Sequence, residues 1–284
     1  MKKQALAKVK ITVICNNEAG KSFQKEHGLS LLVQTGTKAV LLDSGQGQTF
    51  AHNCQQAGID PFALTYHVIS HGHYDHTGAL ADLLQNGSLQ KIFYHPDIFL
   101  KRYSLHPGKP AHLISVPRPA LKKLAAYKKS GRITVTKPHN ITACIGVTGP
   151  IPRINPYEDT GGPFFLDQNR QKTDLINDDQ ALWLDTVQGL IIICGCCHAG
   201  LINTVNYIRK ISGRKQLLAV MGGLHLKAAV PARLEQTAAF LKKSRCRRII
   251  PLHCTGKKAT DFLKQQLKDR ITELRAGDSI TLPQ

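Results

Sequence analysis

The stretch Ser70-His71-Gly72-His73-Tyr74-Asp75-His76-Thr77-Gly78 places four metal-ligating side chains within six residues. His71 and His73, two apart, project to the same side of an extended segment, so both imidazoles can reach one ion. Asp75 and His76 follow where the backbone turns into a predicted helix, and they aim at a neighbouring point. One loop can therefore serve two divalent metal ions. Imidazole nitrogens with one hard carboxylate oxygen suit Zn(II) best and Mn(II) or Fe(II) as alternatives. Two such cations would clamp an anionic group, or lower the pKa of a bound water and aim it as a nucleophile.

The surrounding pattern is that of an α/β protein. Val9–Cys15, Leu29–Gln34 and Lys38–Asp43 read as strands, Thr49–Gly58 as a helix, and His67–Ser70 as a short strand running into the motif. A helix over Thr77–Asn86 and a strand over Lys91–His95 follow. Residues 96–179 hold ten of the 14 prolines and show weak periodicity, with one predicted helix at Pro119–Lys129. They read as an insertion whose loops cover a site and select the substrate.

Order returns with strands Gln180–Thr186 and Leu190–Cys194, joined by Val187-Gln188-Gly189. The chain then repeats strand, loop and helix three times. Leu190–Cys194 leads to helix Leu201–Ile211, Leu217–Met221 to Ala232–Lys243, and Arg248–Leu252 to Lys257–Leu267. Each repeat sets a histidine, His198, His225 or His253, just beyond the carboxyl end of its strand, where active groups of α/β sheets gather. No repeat, low-complexity tract or linker divides the chain, so residues 1–284 are expected to form a single domain.

Composition narrows the function classes. The chain carries 38 Lys+Arg against 19 Asp+Glu, a formal charge of +19, and residues 201–284 hold 17 basic against five acidic side chains. This basic last third favours an anionic small-molecule substrate. Aromatics make up only 6% and no basic run is interleaved with them, which points away from nucleic acid. The longest apolar run, Gly189–Gly195, is far short of the roughly 20 residues of a membrane span. Charge interrupts the first eight residues before a signal-peptide core could form. The eight irregularly spaced cysteines read as reduced thiols, so the protein is expected to be soluble and cytoplasmic. Cys197 and Cys254, beside His198 and His253, are expected to pack away from the site.

The motif and its placement resemble the metallo-β-lactamase superfamily. That resemblance implies an αββα sandwich with a dinuclear metal site at one edge. It implies that His71, His73 and His198 hold one metal, that Asp75, His76 and His253 hold the other, and that Asp43 in Leu42-Asp43-Ser44-Gly45 orients a ligand. Most members bridge the two metals with an aspartate at an intermediate strand end. Here the sole acidic residue between His198 and His253 is Glu235, inside a predicted helix, and His225 stands where the carboxylate would be. Asp75 and His225 are the candidate catalytic residues.

Further motifs, Thr148-Gly-Pro-Ile-Pro-Arg153, Asp178-Asp-Gln-Ala-Leu182, Gly195-Cys-Cys-His-Ala-Gly200, Gly222-Gly-Leu-His-Leu226 and His253-Cys-Thr-Gly256, are similar to one branch of that superfamily. These are the 7,8-dihydropterin-6-yl-methyl-4-(β-D-ribofuranosyl)aminobenzene 5′-phosphate synthases. The branch implies condensation of a dihydropterin-methyl diphosphate with a ribofuranosyl-aminobenzene phosphate. Hydrolysis of a phosphodiester or thioester is the alternative on the same scaffold; a nuclease or a non-catalytic metal-binding protein ranks below both.

Overall fold

The computed structural model describes residues 5–36, 38–85 and 89–283. In chain order the strands are β1 (Val9–Cys15), β2 (Ser30–Thr35), β3 (Lys38–Leu42), β4 (Tyr66–Val68), β5 (Lys91–Tyr94), β6 (Tyr103–Ser104), β7 (His112–Leu113) and β8 (Arg132–Thr134). They continue with β9 (His139–Asn140), β10 (Ile145–Val147), β11 (Phe164–Phe165), β12 (Ala181–Thr186), β13 (Gly189–Cys194), β14 (Leu217–Gly223), β15 (Arg248–Leu252) and β16 (Ser279–Leu282). The helices are α1 (Phe50–Gln56), α2 (Tyr74–Thr77), α3 (Leu80–Gln85), α4 (Arg118–Ala126), α5 (Leu201–Ser212), α6 (Pro231–Lys243) and α7 (Lys257–Leu267).

Two large sheets lie face to face. One runs β16-β1-β2-β3-β4-β5-β8 and the other β15-β14-β13-β12-β10-β9. Alternation along the strands builds both faces of each sheet. Val9, Ile11, Leu31, Val33, Val40 and Leu42 of the first sheet meet Leu182, Leu184, Ile191, Ile193, Met221 and Ile250 of the second in one inter-sheet core. The alternate residues Leu190, Ile192 and Val220 face α5, α6 and α7 through Val205, Leu241 and Leu263. On the outer face of the first sheet, Leu32, Leu41 and Ile92 receive Leu80, Leu83 and Leu124. The result is four layers, αββα.

The strand and helix expectations hold closely outside two regions. The single helix expected over Thr77–Asn86 is divided into α2 and α3, and its last residue lies outside the described ones. The stretch 96–179 builds more than loops: β8 joins the first sheet, β9 and β10 join the second, and β6, β7 and β11 form a small sheet of their own.

That stretch is tied to the histidine loop through a buried charge. Arg102, fully buried, holds Nη1 2.8 Å from Asp178 Oδ1 and Nε 3.4 Å from Asp174 Oδ2. The other oxygen of Asp178 accepts the Gly72 N–H at 2.8 Å, so the guanidinium indirectly fixes the backbone between His71 and His73. Removing one partner leaves uncompensated charge in a low dielectric. Arg102→Leu is expected to cost about 3–5 kcal/mol of unfolding free energy, read from the urea midpoint. Adding Asp174→Asn and Asp178→Asn should recover part of it; an Arg102→Leu midpoint equal to wild type would show the charges are not buried in solution.

Candidate metal centre

The parallel strands β13, β14 and β15 and the parallel strands β3 and β4 all end at one edge of the sandwich. Four non-glycine residues just past these ends adopt left-handed backbone: Asp43 (φ 57°), Cys197 (φ 59°), His225 (φ 46°) and His253 (φ 49°). Such conformations cost free energy and persist where surrounding contacts over-determine them. At Asp43, His225 and His253 they turn the side chain off the strand end toward the other polar groups of this edge, whereas Cys197 turns into the helix-facing core.

Four of the histidines have one nitrogen tied down and one aimed inward, the arrangement that fixes an imidazole as a ligand, while the buried Nε2 of His73 has no hydrogen-bond partner. His71 Nδ1–H donates to Ser70 Oγ at 2.9 Å, leaving Nε2 3.0 Å from His73 Nδ1. His198 Nδ1–H donates to the Thr160 carbonyl at 2.8 Å, and its buried Nε2 has no hydrogen-bond partner. His76 Nδ1–H donates to Asp43 Oδ2 at 2.7 Å, with Nε2 3.8 Å from Asp75 Oδ2. His253 Nδ1–H donates to Asn17 Oδ1 at 2.7 Å, with Nε2 3.4 Å from the same Asp75 oxygen. Asp43, wholly buried, also accepts the Ser70 N–H and Oγ–H, each at 2.7 Å. A Cβ at Gly195 would overlap Ser70 Oγ, so glycine lets β13 approach this network.

The donor atoms of His71, His73 and His198 lie within 4.8 Å of one another, as do those of His27, Asp75 and His253. Burial, and then the neighbouring imidazoles, push the pKa of His71 well below its usual value; burial does the same for His73 and His198. These three rings are therefore neutral and ready to ligate. Burial alone would raise Asp75, but His76 and His253 hold its carboxyl far below the usual range. Burial would likewise lower His76, yet Asp75 and Asp43 raise it to about 9.

A model of the metallo-beta-lactamase superfamily matches residues 25–186. The chain belongs to the metallo-β-lactamase superfamily. It is 31% identical, over 96% of its length and 96% of the relative's, to the 7,8-dihydropterin-6-methyl-4-(beta-D-ribofuranosyl)-aminobenzene-5'-phosphate synthase of Methanocaldococcus jannaschii. An uncharacterized protein of the same organism is 32% identical over 90% of this chain and 94% of that one. The crystal structure of a metal-dependent hydrolase of the beta-lactamase superfamily superposes with a TM-score of 0.82 at 27% identity, covering 96% of this chain and 98% of that one.

Against the metallo-β-lactamase pattern, His71, His73, Asp75, His76, His198 and His253 all converge on the strand-end edge, and their free nitrogens and carboxylate oxygen fit a divalent cation. His225 also reaches the edge, its ring 4.3 Å from that of His198, but it turns toward Cys196 and Cys254. The position between the two ligand groups, expected for His225, is taken instead by Cys196, whose Sγ lies 3.1 Å from His76 Nε2 and groups with His71 and His76. Glu235 is exposed on α6, as expected. Cys197 packs against Thr204 in the helix-facing core, as expected, whereas Cys254 faces the thiol of Cys196 rather than the core. His27, which no motif singles out, has Nε2 3.3 Å from Asp75 Oδ2.

Two outcomes follow from this geometry. Asp43→Ala removes the acceptor that fixes His76 and Ser70, and is expected to weaken divalent-ion binding about 10–100-fold by calorimetric titration; unchanged affinity would leave Asp43 a packing residue only. Asp179, buried with Oδ1 unpartnered and Oδ2 accepting the Ala199 N–H at 2.7 Å, is pushed by burial up to about 7. An acid whose folded pKa is raised binds more protons folded than unfolded, so stability falls as pH climbs from the unfolded value through the folded one. In metal-stripped protein, Asp179→Asn should therefore be more stable than wild type above pH 7, with the difference vanishing near pH 4. A pH-independent difference in thermal midpoint would refute that burial cost.

Proposed function

We propose that the protein is a metal-dependent enzyme acting on a phosphorylated small molecule, with His71, His73 and His198 holding one divalent ion and Asp75, His76 and His253 a second. The observation that carries this reading is the inward convergence of five imidazoles, four of them tethered, and one carboxylate, with His253 at the wall of a cavity of about 430 Å³. His253 and Asn17 reach that cavity, whose wall mixes Lys227, Lys257 and Arg275 with Glu18, Asp261 and Glu273, and Lys257 is paired with Asp261, so attraction for a phosphate rests on bound cations rather than on the cavity's own charge. Bound divalent ions would supply electrophilic stabilisation of charge developing on a phosphate.

The protein's own residues do the rest. Asn17 and Thr160 fix which nitrogen of His253 and His198 faces inward, and Asp43 fixes His76. Phe164 of β11 covers the first group, its ring 5.4 Å from His73 and 5.3 Å from His198, which keeps bulk water away from that side. Asp75, held ionised by His76 and His253, presents a carboxylate oxygen to a cation and to the nucleophile it would activate. The Methanocaldococcus jannaschii relative is named as a synthase of the dihydropterin-methyl-ribofuranosyl-aminobenzene phosphate, and we read the reaction here as a condensation in which a ribofuranosyl-aminobenzene phosphate displaces diphosphate from a dihydropterin-methyl diphosphate. Residues 1–284 act as one domain in this reading, with the small β6-β7-β11 sheet as its cover. The likeness to a metal-dependent hydrolase favours hydrolysis of a phosphodiester or thioester as the second reading.

The test is metal analysis of purified protein followed by assays with the two condensation partners and with phosphodiester and thioester substrates. Diphosphate release that requires both partners, falls at least about 100-fold in His198→Ala or Asp75→Asn, and is lost with a chelator supports condensation. Release of phosphate or thiol without the second partner would replace it with hydrolysis. Turnover that survives complete removal of metal would overturn both.

A further inference from the structure

Beside the imidazole and carboxylate groups stands a cluster of different chemistry. Cys196 follows β13, His225 follows β14 and Cys254 follows β15, so three adjacent parallel strands each deliver one side chain to the same point. Their donor atoms lie within 4.8 Å of one another. Cys196 is 3% and Cys254 8% exposed, and neither is in a disulfide. His225 Nε2–H donates to the Gly161 carbonyl at 3.2 Å, which leaves Nδ1 as the lone-pair nitrogen. That Nδ1 is buried and has no hydrogen-bond partner. The backbone is shaped to allow the approach: at Gly223 a Cβ would stand 2.6 Å from Cys254 Sγ, and His225 itself sits in left-handed backbone.

The thiols make only weak sulfur hydrogen bonds, Cys254 Sγ–H to the Cys196 carbonyl at 3.7 Å among them, so the imidazole lone pair and the sulfur lone pairs converge without a strong donor. A soft cation satisfies all three donors at once. Tetrahedral coordination with bonds of about 2.0–2.3 Å sets donors roughly 3.3–3.8 Å apart, so the present spacing needs only slight closure. We propose that Cys196, His225 and Cys254 form a separate thiolate-rich site for a thiophilic cation of the Zn(II), Cd(II) or Cu(I) class. Thiolates prefer softer ions than the harder imidazole and carboxylate donors of the neighbouring groups, so the two kinds of site sort ions by chemistry. On binding, each thiol gives its proton to solvent and its sulfur lone pair to the cation, with no change of oxidation state. Because Cys196 Sγ also lies 3.1 Å from His76 Nε2, an ion here would adjoin the proposed second metal without being one of the proposed catalytic pair.

The experiment is titration of metal-stripped, reduced full-length protein with Co(II) and with Cd(II), following sulfur-to-metal charge-transfer absorption and bound metal per chain. Wild type is expected to show the band, and Cys254→Ser to lose it together with one bound ion. His225→Ala should weaken filling of the band about tenfold or more while its saturated intensity remains. His198→Ala and Asp75→Asn, which disable the proposed catalytic pair, should leave the band in place, so failure of the proposed function and failure of this site are separable. The inference is overturned if folded wild type shows no band. It is also overturned if Cys254→Ser keeps full intensity and stoichiometry, which would assign Cys196 to the neighbouring centre alone. Six rather than eight titratable thiols in denatured, unreduced protein would replace the ion site with a Cys196–Cys254 disulfide.

Discussion

The Asp43 carboxylate is the anchor on which the edge of the sandwich depends. Buried completely after β3, it accepts from the Ser70 backbone, the Ser70 hydroxyl and His76 Nδ1. A carboxylate taken out of water at several kcal/mol is tolerable only with its lone pairs engaged by strong donors. Those donors come from both ends of the histidine loop, so satisfying Asp43 sets where the loop leaves β4 and which way His76 faces. Ser70 Oγ passes the order on to His71, and Gly195 lets the second sheet close against it. One buried charge thus couples β3, β4 and β13.

Strand-end placement does the remaining work. Parallel strands direct their carboxyl ends the same way, and the inter-sheet core holds the two sheets at a fixed separation. Residues far apart in sequence, such as Asn17 and His253, then meet with hydrogen-bonding geometry. The helices contribute to this edge indirectly, by covering the outer faces of the sheets and keeping strand positions fixed.

Much of this was legible in the sequence. The repeated strand, loop and helix after Gln180 and the unbroken apolar run of β13 forecast the second sheet, and the H-x-H-x-D-H spacing forecast the edge. Side-chain direction just beyond a strand was not legible. Alternation fails once the backbone enters the left-handed region, as at His225 and His253, so His225 turns to the thiols and Cys254, expected to pack away, faces Cys196. His27 was invisible for another reason: nothing local marks a histidine whose partner, Asp75, is brought near only by the pairing of distant segments. With Glu235 set aside in its helix, the sequence offered His225 for the position between the late histidines, whereas the Cys196 thiol is the group that stands beside His71 and His76. Short strands such as β6, β8 and β11 carry too few residues for a period to show, and proline-rich surroundings mask them further.

Arg102 and Phe164 together bear on traffic. Phe164 lies against His73 and His198, and the Arg102 guanidinium, joined to Asp174 and Asp178, ties the same cover to the amide of Gly72. Swinging that cover outward would strand a buried ion pair, so this flank behaves as a wall. The opposite flank, where His27 stands half exposed next to Asp75 and the cavity opens along His253, is the doorway. Solvent therefore stands nearest the carboxylate side, and the histidines under the wall lie deepest.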